Sequence, residues 1–173
     1  MLKYIRIMEI RPYKSSDFYE IKKWICDTRT HAFWCADLMP YPLEKQSFEN
    51  TFKNKDTAFT AVNNNGNPVG FFCLSFNAAV KETKLKFIIL APELRGKGHG
   101  KEMLSLAIKY AFDNGADNVQ LNVFENNIKA KKCYLRAGFT ERASTQNAFC
   151  FNGESWTRCN MSISKTTAKN KLL

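Results

Sequence analysis

The segment Ala91-Pro-Glu-Leu-Arg-Gly-Lys-Gly-His-Gly-Lys101 has three glycines at alternate positions, between a predicted strand and a predicted helix. Glycine allows a backbone to turn tightly and to come close to a ligand, because it has no Cβ. Successive N–H groups at the start of a helix bind anions, and the helix dipole strengthens that binding. Arg95, Lys97 and Lys101 add positive charge. The segment therefore predicts a site for a diphosphate or polyphosphate.

Two well-known phosphate motifs do not fit this segment. A Walker A loop requires GxxxxGK[ST], whereas Gly100 is followed by Lys-Glu, which offers no hydroxyl to magnesium. The dinucleotide fingerprint GxGxxG is also absent, because Gly96-Lys-Gly98 continues as His-Gly-Lys. A glycine-rich turn without any ligand is the structural alternative. Basic residues that alternate with the glycines favour a ligand site.

The elements around the segment form a β-α-β unit. The strand Thr83–Leu90 is predicted before it, from alternating apolar residues. The helix from Lys101 to Asn114 follows it, since its apolar residues share one helical face. The strand Val119–Val123 and a helix over 127–137, stopped by Gly138, come next.

The rest of the chain adds strands and helices on both sides of this unit. Further strands are predicted over Tyr4–Arg11, Thr57–Val62, Pro68–Phe76, 139–151 and 154–163. One helix should begin at Ser15-Ser16-Asp17 and another should cover Leu43–Phe52, with a loop or short irregular helix over 29–42. The fold class is α/β, a mixed, mostly antiparallel central sheet flanked by helices. We expect one domain over 1–164 and a basic, frayed tail over 165–173.

Two motifs resemble the GNAT superfamily of N-acetyltransferases. Arg95-Gly-Lys-Gly98-His-Gly100 fits its [Q/R]xxGx[G/A] loop. The stretch from Asn127 to Phe139 fits its NxxAxxxYxxxGF pattern without a gap. The two motifs come in the family's order, separated by one helix and one strand. The resemblance implies an acyl-CoA N-acyltransferase fold, with acetyl-CoA as the acetyl donor and no metal.

The resemblance also implies which residues bind the cofactor. Backbone groups of the preceding strand would pair with the pantetheine arm as an added strand does; these are Ile88, Ile89 and Leu90. Backbone N–H groups of the loop would hold the pyrophosphate; these belong to Arg95, Gly96, Lys97, Gly98, His99, Gly100 and Lys101. Asn127 would hydrogen-bond the pantetheine or nearby backbone, and Ala130 would leave room beside it.

Tyr134 is the catalytic residue that the resemblance implies. A phenol stays protonated at neutral pH and can protonate the leaving thiolate. The amine would attack the thioester directly, while a backbone N–H near Leu90 stabilises the oxyanion. The structural alternative makes Tyr134 a core aromatic. A nucleophilic Cys133 is disfavoured, since it lies about 100° round the helix from Tyr134 and no histidine is near in sequence.

The general base and the acceptor are less well defined by the sequence. Relatives that acetylate protein N-termini carry a Glu in a LEV-like stretch, where this chain has Asn122. An amide cannot take a proton, so Glu125, Glu82 or an ordered water are the candidate bases. Aromatic residues are predicted to build the acceptor pocket; these are Phe33, Trp34 and Tyr41.

The chain is strongly basic, with 26 Lys and Arg against 16 Asp and Glu and a net charge of +10 among 173 residues. Such a charge attracts phosphate-rich cofactors, nucleic acids or acidic proteins. The preferred partners are acetyl-CoA and an amine, either a small molecule or a peptide N-terminus, without specific nucleic acid or membrane binding. Two alternatives stay open: a CoA-binding sensor that has lost catalysis, and a basic nucleic-acid-binding module. A homodimer is also left open.

The six cysteines favour a reduced, cytoplasmic protein. None forms a CxxC pair, and two histidines are too few to complete a structural zinc site with this spacing. The N-terminus lacks a continuous apolar segment with a cleavage site, so a secretory signal is not expected. We therefore expect free thiols that mostly act as small hydrophobes.

Overall fold

A seven-stranded sheet forms the centre of the protein in a computed structural model that describes residues 8–172. The strands are β1 Met8–Pro12, β2 Thr57–Asn63, β3 Pro68–Asn77, β4 Glu82–Leu90, β5 Asn118–Phe124, β6 Thr140–Phe151 and β7 Glu154–Ser164. The helices are α1 Phe18–Lys23, α2 Thr28–Cys35, α3 Lys45–Phe52, α4 His99–Asp113, α5 Ile128–Arg136 and α6 Lys165–Leu172.

The strand order is β1-β2-β3-β4-β5-β7-β6, and every neighbouring pair is antiparallel except β4 and β5. The predicted β-α-β unit is therefore β4-α4-β5, and the predicted fold class is confirmed. Asn-Gly turns join β2 to β3 and β6 to β7, with positive φ at Gly66 in the first and at Asn152 and Gly153 in the second.

The structure differs from the sequence predictions at α2 and at α6. In the segment 29–42, predicted as a loop or short irregular helix, residues up to Cys35 belong to a regular helix, α2, and residues 36–42 are not helical. The first turn of α2 is capped by Asp27, which accepts from Thr30 N. The expected frayed tail over 165–173 is wrong for residues 165–172, which form α6. Ala168 packs into the core and Lys165 Nζ donates to Phe112 O, so that tertiary contacts hold this helix in place. Of the strand Tyr4–Arg11, residues 4–7 lie outside the described residues.

The two faces of the sheet bury different clusters. On the α4 face, the apolar sides of α4, α5 and α6 pack on alternate residues such as Leu85, Leu121 and Met161. On the α2 face, α1, α2 and α3 pack on Phe71 and Ile89. Successive strand residues point to opposite faces along β5, β7 and the N-terminal part of β4. A bulge in β4 at Phe87, whose φ is +51°, interrupts this alternation.

All six cysteines are free, and Cys35, Cys73 and Cys159 are buried. Within residues 8–172, no helix is both long and apolar enough to cross a bilayer.

Candidate active site

The parallel strands β4 and β5 pair only at their N-terminal ends. The ladder covers Glu82–Lys84 against Asn118–Gln120 and then stops. Residues 85–90 of β4 therefore form no ladder with residues 121–124 of β5. We call the paired end of the two strands the closed end and the separated end the open end. The result is an open gap in the middle of the sheet, with unpaired backbone groups along the β4 side.

Two β4 residues direct their backbone groups into this open gap. Ala91 N donates to Val69 O at 2.8 Å, which makes these two a hydrogen-bonded pair with β3. Bonded and non-bonded pairs alternate in an antiparallel ladder. Ile89 is therefore bonded to β3, whereas Ile88 and Leu90 turn their N–H and C=O groups away from β3. Of the three residues predicted to pair with pantetheine, Ile88 and Leu90 have the geometry for it.

The glycine loop leaves a run of free donors at the start of α4. Arg95 N donates to Pro92 O and Lys101 N donates to Gly98 O, but the N–H groups of residues 96–100 donate to no described residue. Gly98 is the N-cap of α4 with φ of +92°, a conformation that suits glycine. These five donors and the helix dipole are suited to an anion at the open end of the gap.

The charge of Arg95 suggested that its side chain would contribute to the anion site, but the guanidinium bonds to two backbone carbonyls instead. Arg95 Nε donates to Leu90 O at 2.8 Å, and Nη2 donates to Trp24 O at 3.0 Å. The guanidinium thus joins the loop to the end of β4 and to the end of α1. Lys97 and Lys101 are exposed beside the free N–H groups and supply the positive charge there.

Helix α5 lies close to this loop because Gly100 permits it. A Cβ at Gly100 would lie 3.0 Å from Cys133 Sγ, tighter than nearly all real contacts. A side chain at position 100 would therefore push α5 away from the start of α4. The close approach sets the position of Tyr134, the next residue along α5. Burial raises the pKa of the Cys133 thiol, which disfavours the thiolate form.

Tyr134 is buried, with 8 % of its surface exposed, and belongs to the core on the α4 face. Its ring meets Phe139 edge to face at a centroid distance of 6.2 Å. Its hydroxyl has no hydrogen-bond partner among residues 8–172, although the ring is packed. Burial raises the pKa of Tyr134, so the phenol is protonated at neutral pH. A protonated donor without a protein partner is suited to a ligand.

Asn127 caps the helix that carries Tyr134. Its Oδ1 accepts from Ala130 N at 3.3 Å, and its own N–H donates to Phe124 O at the end of β5. The cap joins β5 to α5 at the open end of the gap. The predicted contact of Asn127 with nearby backbone is therefore present, and Ala130 takes part in it.

Helix α2 spans the gap on the opposite face of the sheet. Phe33 stacks on Trp156 of β7 at 4.6 Å, and Trp34 meets Phe87 of β4 edge to face at 5.9 Å. Tyr41 lies elsewhere, because its hydroxyl donates to Cys26 O and 41 % of its surface is exposed. The three residues predicted for one acceptor pocket are thus not brought together. Phe33 and Trp34 instead place α2 across the gap.

Of the two carboxylates suggested as a base, only Glu82 shares the α2 face with Lys84. It lies at the closed end of the gap, where it accepts from Gln120 and Arg142. Glu125 accepts from Cys159 Sγ, which belongs to the α4 face, and lies 3.7 Å from Lys131 of α5. The sequence could not distinguish these positions, because both glutamates are near strand ends and differ only in which face and end they occupy.

Comparisons with known proteins agree with this geometry. The model of the acetyltransferase (GNAT) family matches residues 13–139. Streptothricin acetyltransferase of Streptomyces lavendulae is 35 % identical over 81 residues, which cover 47 % of this chain and 43 % of that protein. The uncharacterized N-acetyltransferase YhfO of Bacillus subtilis is 27 % identical over 149 residues, 84 % of this chain and 97 % of its own. The chain thus spans less than half of the first of these relatives and nearly all of the second.

Solved structures show the same fold. Spermidine N-acetyltransferase from Vibrio cholerae, in complex with CoA and spermine, superposes with a TM-score of 0.80 at 23 % identity, over 94 % of this chain and 98 % of that one. A putative phosphinothricin N-acetyltransferase superposes with a TM-score of 0.73 at 18 % identity, over 91 % and 98 %. The family match covers most of the chain and includes the glycine loop, the open gap and the helix that carries Tyr134. The chain belongs to the acetyltransferase (GNAT) family.

Proposed function

We propose that this protein binds acetyl-CoA in the open gap between β4 and β5 and transfers the acetyl group to a primary amine. The observation that carries the proposal is the convergence of three unsatisfied sets of groups. These are the free N–H groups of residues 96–100, the β4 backbone groups of Ile88 with the N–H of Leu90, and the Tyr134 hydroxyl. A pyrophosphate, an amide-bearing arm and a leaving thiolate match them in that order.

The cofactor would lie along the gap as an added strand beside β4. The pantetheine amides would bond to Ile88 and Leu90, while the pyrophosphate accepts from the loop at the start of α4. This binding mode leaves the thioester between the α5 helix and the α2 face. The CoA complex of the spermidine N-acetyltransferase with the same fold supports a CoA site in this chain.

The transfer would proceed by direct attack, with no acyl-enzyme. The amine nitrogen forms a bond to the thioester carbonyl carbon, and the carbonyl oxygen gains the negative charge. The Ile88 N–H, which also turns away from β3 and lies farther from the glycine loop than Leu90, would donate to that oxygen. When the C–S bond breaks, the Tyr134 hydroxyl gives its proton to the thiolate. A water molecule would take the proton from the attacking amine, since Arg142 and Gln120 hold Glu82 at the closed end of the gap and Glu125 lies on the α4 face.

The test is a screen of amines with detection of free CoA thiol, combined with a thermal-shift titration by acetyl-CoA. We expect acetyl-CoA at about 100 times its dissociation constant to add roughly 2.7 kcal/mol of stability. Release of CoA should depend on the amine. Absence of a thermal shift with both acetyl-CoA and CoA would refute the proposal. A shift without turnover for any amine would instead support the alternative of a CoA-binding sensor.

A further inference from the structure

Three cations lie on the α2 face along the open gap. Lys84 and Lys86 of β4 share the face of Cys73, their neighbour on β3, and Arg158 of β7 shares the face of Trp156. We call Lys84, Lys86 and Arg158 the basic patch. Lys84 is in register with Gln120 at the closed end of the gap, and Arg158 is in register with Phe124 near the open end. Asn122 of β5 lies between these two positions on the same face.

Two members of the basic patch have no counter-ion. Lys86 Nζ is 2.6 Å from Asp56 Oδ2, so that its charge is neutralised within the protein. The side chains of Lys84 and Arg158 form no ion pair and no hydrogen bond with any residue in 8–172. The neighbouring acid Glu82 is already held by Arg142 and Gln120. Burial, followed by the charges of Lys86 and Arg158, lowers the pKa of Lys84, and the charge of Glu82 offsets only part of this effect.

Amide side chains extend this surface between the cations. Asn160 Nδ2 donates to Gln120 Oε1 at 2.9 Å and to Asn122 Oδ1 at 3.0 Å. The carbonyl of Asn122 is thereby occupied, and its exposed NH₂ group has no acceptor among the described residues. Since a bound anion accepts hydrogen bonds, this NH₂ group adds a donor to the positive charge beside it.

The basic patch lies where the acceptor must approach. The glycine loop lies at the open end of the gap, and Tyr134 lies on the α4 face. The amine therefore has access to the thioester from the α2 face. Helix α2 covers the open end of that face through Phe33 and Trp34. The uncovered part of the face is lined by Lys84 at the closed end and by the exposed side chains of Asn122 and Arg158 further along β5 and β7.

The geometry points to an acceptor that carries an anionic group as well as its amine, with a carboxylate or phosphate bound between Lys84 and Arg158. This inference rests on the proposed acetyl transfer and narrows its substrate class. A polyamine would bring more positive charge against two cations that have no counter-ion, and repulsion would disfavour it. A carboxylate or phosphate would supply the missing partner while the amine reaches the thioester.

The test compares primary amines in matched pairs that differ only in the anionic group. We suggest phosphoethanolamine with ethanolamine, β-alanine with β-alaninamide, and phenylalanine with phenylalaninamide, together with spermidine. We expect kcat/KM for the anionic member to exceed that of its neutral counterpart about tenfold or more, as one hydrogen bond to a charged group allows. Spermidine should be the poorest acceptor. The anionic group also raises the pKa of the amine, so that a smaller fraction of the amine is unprotonated at neutral pH. This effect opposes the expected preference.

Variants identify the groups responsible. Arg158→Gln and Lys84→Gln should each bring the ratio within a pair towards one, with the acetyl-CoA thermal shift unchanged. Lys109→Gln is the matched control, because it removes one exposed positive charge from α4, where Lys109 pairs with Asp113. It should leave the ratio as in the wild type.

Several outcomes would overturn the inference. They are equal rates within the pairs, a preference for the neutral members or for spermidine, a ratio that survives in both variants, and no acetylation of any pair by a protein that binds acetyl-CoA. Failure of acetyl-CoA to bind at all is a separate result. It would refute the proposed function itself, and the thermal-shift arm distinguishes it from the other outcomes.

Discussion

Arg95 Nε donates to Leu90 O at 2.8 Å, so the first residue of the glycine-loop motif holds the last residue of β4. Its Nη2 also donates to Trp24 O at the end of α1. The guanidinium has a fixed fork of donors, which a lysine ammonium does not reproduce. Arg95 is therefore a positioning residue that sets the start of the glycine loop relative to the open gap.

Replacing Arg95 should weaken acetyl-CoA binding whether or not the charge is kept. We expect Arg95→Lys and Arg95→Gln both to raise the dissociation constant about tenfold, because each loses hydrogen bonds worth roughly 1 kcal/mol apiece. Calorimetric titration would measure this. Lys97→Gln is the control for charge alone, and its smaller effect should disappear in high salt. Wild-type affinity in Arg95→Lys would show that the charge of residue 95, and not the position of the loop, determines the affinity for acetyl-CoA.

Gly98→Asp should abolish cofactor binding. The substitution places a carboxylate at the N-cap of α4, beside the free N–H groups of residues 96–100, and repels the pyrophosphate. Gly66→Asp is a matched control, since Gly66 also has a positive φ and a Cβ there would have no neighbouring atom within 4 Å. Both variants should lose a similar amount of stability through backbone strain. Only Gly98→Asp should lose the thermal shift with acetyl-CoA, and retention of that shift would contradict the phosphate site.

Tyr134→Phe should slow acetyl transfer by roughly 100-fold or more, the usual contribution of a general acid. The stability change should be small, because the ring is kept and the hydroxyl has no hydrogen bond within residues 8–172. Affinity for acetyl-CoA should also stay nearly the same, since the hydroxyl acts when the thiolate leaves. Single-turnover kinetics with a saturating amine would measure the chemical step. Full activity in Tyr134→Phe would limit this residue to a packing role.

Asp17 should make stability depend on pH in the acid range. Burial raises its pKa, but hydrogen bonds from Arg11, Lys14 N and Thr60 outweigh that effect and leave the pKa below its usual value. A lowered folded-state pKa stabilises the fold above the unfolded pKa of about 3.9. This stabilisation is lost as the pH falls from there through the lower folded-state value.

Asp17→Asn should therefore cost about 3 kcal/mol at pH 7, as breaking a buried ion pair does. The difference from the wild type should narrow as the pH falls below about 4. Denaturant unfolding at a series of pH values would measure it. Asp113→Asn removes an exposed partner of Lys109 and should change stability by less than about 1 kcal/mol. An unfolding difference for Asp17→Asn that does not vary with pH would contradict this assignment.

The structure bears out most of the local sequence signals and revises a few. Asp27 preceding Thr28 is a helix-capping signal, and it outweighs the aromatic, proline-bounded character of the stretch that follows. The tail 165–173 has no strong helix start, and its helix is held by the burial of Ala168 and by the contact of Lys165 with Phe112. Contacts between distant segments can override weak local preference in this way.

The sequence by itself determined the order of the elements, the glycine loop at the start of α4 and the position of Tyr134 on α5. Those features depend on local backbone preferences and on hydrophobic periodicity, which a single sequence carries. Only the tertiary structure decided that β4 and β5 separate after Lys84, that Arg95 bonds to Leu90 O and Trp24 O, and that Lys84 and Arg158 share one face of the sheet. The physical reason is that strand register and the packing of remote helices place these groups, and neither is encoded within any one segment.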